Sequence, residues 1–208
     1  MNGDSMTMMQ LMHEGGWVMW GLLGFSIAAV ATALERALVL HRARLEVEPF
    51  LRALRKTLME KGPKAALALC HDHRGPAARL AEAALRVFER APAQLEKVME
   101  RHARREERML YRRLGILASI ATTAPLLGFL GTVTGMMASF EVLGNLGITD
   151  PGAVATGIKE ALTTTAGGLV VAVPTQLVYN ALRSRAERIT DDLETVGNVL
   201  LELREELG

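Results

Sequence analysis

Trp17 to Leu40 reads WVMWGLLGFSIAAVATALERALVL, a run with no charged residue before Glu35. At about 1.5 Å per helical residue it is long enough to cross a hydrocarbon core of roughly 30 Å. Trp17 and Trp20 fall on one helical face at its beginning, where indole rings favour the boundary between lipid and water. A secretory signal is the competing reading. No basic segment precedes the run, however, and Glu35-Arg36 is a poor cleavage site, so an anchored helix is the expectation.

Working outward, two further apolar runs follow, Leu114 to Phe140 and Val154 to Leu182. Half of the residues are hydrophobic and the net charge is +1, values that alone would pass for a soluble protein. The placement of charge is more telling. Every Lys and Arg except Lys159 lies within Arg36 to Arg113 or Arg183 to Arg204. Basic loops are retained on the cytoplasmic side. The chain is therefore predicted to be an all-α integral membrane protein with a periplasmic N-terminal segment (1–16) and transmembrane helices at 17–40, 114–140 and 154–182. A helical cytoplasmic region (41–113), a periplasmic connection (141–153) and a cytoplasmic tail (183–208) complete it. The two outward segments carry Asp4, Glu14, Glu141 and Asp150 and no Lys or Arg.

The cytoplasmic region is rich in Ala, Leu, Arg and Glu and is punctuated at Pro49, Gly62-Pro63, Gly75-Pro76 and Pro92. It reads as short helices, with Leu51, Leu54 and Leu58, and then Leu80, Ala84, Leu85 and Phe88, forming faces to bury. From Ala93 to Arg113 no breaker precedes the second apolar run, which predicts one helix continuing into the membrane. The ARREERMLYRR cluster at its end suits anionic headgroups. Nucleic-acid binding is disfavoured by the interleaved glutamates. The single cysteine, Cys70, excludes a disulfide framework and reads as a small core residue. His71-Asp72-His73 has metal-ligand spacing without further ligands in view, and HDHRGP reads as a polar turn. Neither metal nor cofactor is expected.

Chemistry concentrates in the second and third spans. Gly131 and Gly135 form a small-xxx-small seam, with Gly128 and Gly168 as further packing positions; for many of the threonines packing is a sufficient explanation. Glu160 is different, because a carboxylate in a span costs several kcal/mol unless it faces protein or water. Counting outward from Arg183 to Thr165 and from Arg113 to Thr132 gives roughly 27 to 29 Å in both cases, so the two threonines share a level. Glu160 falls about one and a half turns further out, near the mouth of any cavity these helices line.

Two stretches, APLLGFLGTVTGMMASF (124–140) and IKEALTTTAGGLVVAVPTQLVYN (158–180), resemble the proton-channel family of ExbB, TolQ and MotA, most closely its ExbB and TolQ branch. A MotA-type chain would need a fourth span. The resemblance implies an inner-membrane pentamer whose second and third helices line a pore, the first lying against lipid. It implies two copies of an ExbD- or TolR-like single-span partner in that pore, with a TonB- or TolA-like protein as a further partner. By motif, Thr132, Glu160 and Thr165 match the family's polar pore residues, Thr164 and Lys159 are additional candidates for polar pore residues, and Pro174 and Asn180 match a structural pattern. Lys159 departs from that pattern.

No GxxxxGK[ST] and no catalytic triad pattern is present, so no enzyme is expected and an ion gradient must supply the energy. The expected function is the pore subunit of a motor that uses the proton motive force for envelope or outer-membrane processes. A non-conducting scaffold and an H⁺- or Na⁺-driven motility stator remain alternatives, as does an autonomous channel, against which the absence of internal repeats stands.

Overall fold

A computed structural model of the protein describes residues 16–43, 45–90, 92–146 and 151–207. Among them all regular structure is helical: α1 (Gly16–Ala43), α2 (Val47–Asp72), α3 (Pro76–Leu85), α4 (Pro92–Tyr111), α5 (Leu114–Leu146) and α6 (Pro151–Leu207). Three stretches, beginning at Gly16, Ala93 and Val154, contain windows long and apolar enough to cross a membrane. The chain divides into two compact units. One takes the chain up to Leu34 together with Arg113–Asn180, the other Glu35–Arg112 together with the chain from Ala181 onward.

In the first unit α1 packs through Val18 and Leu22, which are buried with Ala124 of α5 and Ala172 of α6. Large apolar side chains including Trp17, Trp20, Leu126, Phe129, Leu162 and Val170 remain exposed. Such a surface is stable against lipid or further protein, not water.

The second unit has a conventional core. Phe50, Leu54 and Leu58 of α2 meet Leu80, Ala84 and Leu85 of α3, Leu95 and Met99 of α4, and Leu193, Val196, Leu200 and Leu203 of α6. The last four recur at helical spacing on one face. Residues 183–207 are thus a continuation of α6 whose apolar stripe belongs to the core, more than the word tail suggests. Pro49 sits in the first turn of α2, where a missing N–H costs nothing. Gly62, at φ 77°, breaks the helical conformation inside α2, and Pro63 restarts it. The HDHRGP turn runs from the end of α2 through Gly75, at φ 131°, to Pro76 at the start of α3.

Cys70 is buried in this core, and burial, with the nearby Glu82 carboxylate, pushes its thiol up to about 12. His73 donates from Nδ1 to the Leu69 carbonyl (2.9 Å) and tilts against Phe50. Among the described residues no group of three His, Cys, Asp or Glu is placed to hold a metal ion. The buried Glu106 is met by the Arg79 fork at 2.8 and 2.5 Å, a two-point ion pair that joins α3 to α4.

The expected continuous helix from Ala93 into the membrane is interrupted. Arg112 and Arg113 separate α4 from α5, and Arg113 takes φ 66°, a left-handed conformation costing roughly 1–2 kcal/mol for a non-glycine residue. Arg36, only 5% exposed, explains how the break is held. Its guanidinium donates to the carbonyls of Met109 (3.3 Å) and Arg112 (3.0 Å), groups at the end of α4 that an unbroken ladder would have used. The Ile116 N–H turns to the Arg113 carbonyl (3.1 Å). An ion pair to Glu35 (2.9 Å) balances the buried charge.

Candidate functional site in the second and third spans

Helices α5 and α6 meet along a seam of small residues. A methyl group at Gly128 would stand 2.8 Å from the Thr164 carbonyl oxygen, and one at Gly168 would stand 2.7 Å from that of Ala124. At Gly131 it would meet the Thr164 side chain, with Cβ at 2.6 Å, and at Gly135 the Gly157 carbonyl and Ala161 at 3.0 Å. Backbone therefore lies against backbone. Without a hydrophobic force between apolar helices, such close approach supplies the packing energy. Ser139 is buried in the same seam and lies within reach of the Gly135 (3.0 Å) and Val154 (3.3 Å) carbonyls. Pro125 and Pro174 both lie inside their helices.

The seam brings Thr132 and Thr165 together. Their hydroxyl oxygens are in direct contact. Thr132 Oγ1 also reaches the Ala161 carbonyl (3.2 Å) and, more distantly, that of Gly128 (3.4 Å), while Thr165 Oγ1 reaches the Gly128 carbonyl (3.3 Å). Each hydroxyl has one proton to give. The line Ala161 carbonyl, Thr132, Thr165, Gly128 carbonyl can therefore be bonded in either sense. In one, Thr165 donates to Thr132 and Thr132 to Ala161; in the other, Thr132 donates to Thr165 and Thr165 to Gly128. Neither sense leaves a hydroxyl proton without an acceptor.

The other sequence candidates are placed elsewhere. Thr164 is 1% exposed, packs on Gly131 and donates to the Ala161 carbonyl (2.8 Å), so within the subunit its hydroxyl is consumed by packing and does not line a surface. Lys159 is exposed, and its carbonyl accepts from Thr163 Oγ1 (2.8 Å). Asn180 accepts from the Gln176 side chain (2.9 Å). Glu160 is half-buried and does not join the threonine pair; its Oε1 lies against Gly16, the first residue of α1. That contact spans more than a hundred positions of sequence and carries no local signal.

Three helices long and apolar enough to cross a membrane, two of them packed along a close glycine seam that holds a hydroxyl pair, are the features of a multi-pass membrane protein. The match is specific. Residues 72–195 fit the model of the MotA/TolQ/ExbB proton channel family, and the chain belongs to that family, whose members are transport and motor subunits and not enzymes. It is similar to a putative biopolymer transport protein ExbB homolog of Methanothermobacter thermautotrophicus, 30% identical over 91% of this chain and 68% of that protein. The putative biopolymer transport protein ExbB-like 3 of Synechocystis is 36% identical over 82% of each chain. The biopolymer transport protein ExbB of Aquifex aeolicus is 41% identical over 41% of this chain and 58% of its own length. These relatives place the chain on the ExbB-like branch.

Proposed function

We propose that the chain is the pore-forming subunit of an inner-membrane motor that uses the proton motive force to energise envelope or outer-membrane processes. The observation that carries this reading is the Thr132–Thr165 hydroxyl pair, whose bonding can reverse without any backbone movement. Reversible donors are what a proton or hydrated ion needs from a pore wall, and membership of a proton channel family supports that use. Relatives named for biopolymer transport support the choice of output.

The assembly is a ring of identical subunits, five in number, with α5 and α6 turned to the pore. Two copies of an ExbD- or TolR-like single-span protein stand in it and pass the force to a TonB- or TolA-like protein. Polar helices need like neighbours to shield them from lipid. Native mass spectrometry of the detergent-solubilised complex is expected to show the five-membered ring. A stable monomer would overturn it.

The orientation is N-terminus periplasmic and C-terminus cytoplasmic. A cysteine at Gly147, a position outside the described residues, should react in intact cells with a thiol reagent that cannot cross the membrane. The native Cys70 is a poor cytoplasmic control, because its burial alone prevents reaction. The exposed Glu89 is better: Glu89→Cys should label only after permeabilisation. The opposite pattern would invert the topology.

A further inference from the structure

The geometry points to Gly16 as the positioning residue for Glu160. This rests on the proposed pore-forming function, with Glu160 as the polar pore residue that the family resemblance implies, and adds to it an element that the second and third spans do not contain: the first turn of α1.

Three observations support it. Glu160 Oε1 occupies the space that a side chain at Gly16 would fill, and the carboxyl carbon is 3.4 Å from the same point. Gly16 is also held at φ 62°, a left-handed conformation that glycine adopts without strain. Finally, its position is not that of a loose end. Val18 and Leu22 are buried against Ala124 and Ala172, Met19 fills the space at Gly167, and Gly21 faces Leu127. The beginning of α1 is thereby docked on α5 and α6.

The chemistry of the contact is favourable. The first-turn N–H groups of a helix lack intrahelical partners, and the positive end of the helix dipole attracts a carboxylate. Glu160 thus has a seat in a region where an unplaced charge would be costly. Its carboxyl is the far end of a flexible side chain, so a methyl group at residue 16 would displace it without separating the helices. The first span therefore sets where the outer carboxylate stands.

The experiment combines contact and activity. Gly16→Cys with Glu160→Cys should be joined by a short bifunctional methanethiosulfonate in the assembled protein. A spacer is used because the carboxyl, and not the Glu160 Cβ, reaches Gly16: no Cβ of Glu160 lies within 4 Å of the point a side chain at residue 16 would occupy. Gly16→Ala should lower gradient-driven activity of the partner complex about ten- to a hundredfold, the range expected for misplacing a functional group by about 1 Å. Gly24→Ala, on the same helix in open space, should leave it unchanged.

Glu160→Asp shortens the side chain by one methylene and makes room for the added methyl. Gly16→Ala/Glu160→Asp should therefore be more active than the product of the two single effects predicts. If the two effects simply multiply, the loss comes from backbone strain at residue 16 and the inference is overturned. Absence of the cross-link overturns the contact itself, whatever the complex conducts. A cross-link together with a fully active Glu160→Ala overturns the ionic role of the carboxylate and, with it, the need to position it.

Discussion

Thr132→Val and Thr165→Val are each expected to assemble normally and to abolish gradient-driven work. Valine keeps the shape of threonine and deletes the hydroxyl. When Thr165 loses its hydroxyl, Thr132 still has the Ala161 carbonyl to donate to; when Thr132 loses it, Thr165 still has Gly128. No hydroxyl is orphaned, so the cost to folding is that of a modest hydrogen bond, about 0.5–1.5 kcal/mol. The loss to transport is larger in kind, because a lone hydroxyl has no second hydroxyl to hand a proton to and the two-hydroxyl line is broken. The measurement is ion-driven activity of the partner complex with protein level and oligomer size held constant. Full activity in both variants would return the pair to packing and favour the scaffold reading.

A second large effect is expected at the glycine seam, with the opposite signature. Gly128→Ala and Gly168→Ala should cost assembly, not conduction alone. Their added methyl groups would meet backbone carbonyls of Thr164 and Ala124, and backbone cannot swing aside as a side-chain tip can. Overpacking of this type costs about 1–3 kcal/mol, and moving the helices apart would also part the hydroxyl pair. Gly115→Ala and Gly144→Ala, where nothing lies within 4 Å, are the controls and should be neutral or slightly stabilising. Size-exclusion profiles and thermal aggregation in detergent distinguish the sets; equal behaviour of all four would remove the seam as the source of stability.

What the sequence made legible follows from what is local. Long apolar runs show where helices form, since length and charge are properties of consecutive residues. Gly75-Pro76 marked the turn before α3 because both residues constrain their own backbone. Counting from the flanking arginines placed Thr132 and Thr165 at one level, and they lie in contact. The features that escaped depend on distant partners. The burial of Leu193, Val196, Leu200 and Leu203 requires α2 to α4 as a counter-surface. The break at Arg113 has no proline or glycine to announce it and is stabilised from Arg36, more than seventy positions away. Thr164 could not be told from Thr165 by composition. Only the facing Gly131 decides which hydroxyl is spent on packing.

The hydroxyl line between Ala161 and Gly128 has a further consequence, which concerns direction. A path that is equally complete in either sense has no preferred way of running, and lowering a barrier lowers it for travel both ways. The seam therefore cannot rectify. In the proposed motor, direction would have to come from outside this pair: from the gradient, which differs between the two faces of the membrane, and from a pore occupant that lacks the symmetry of the proposed ring.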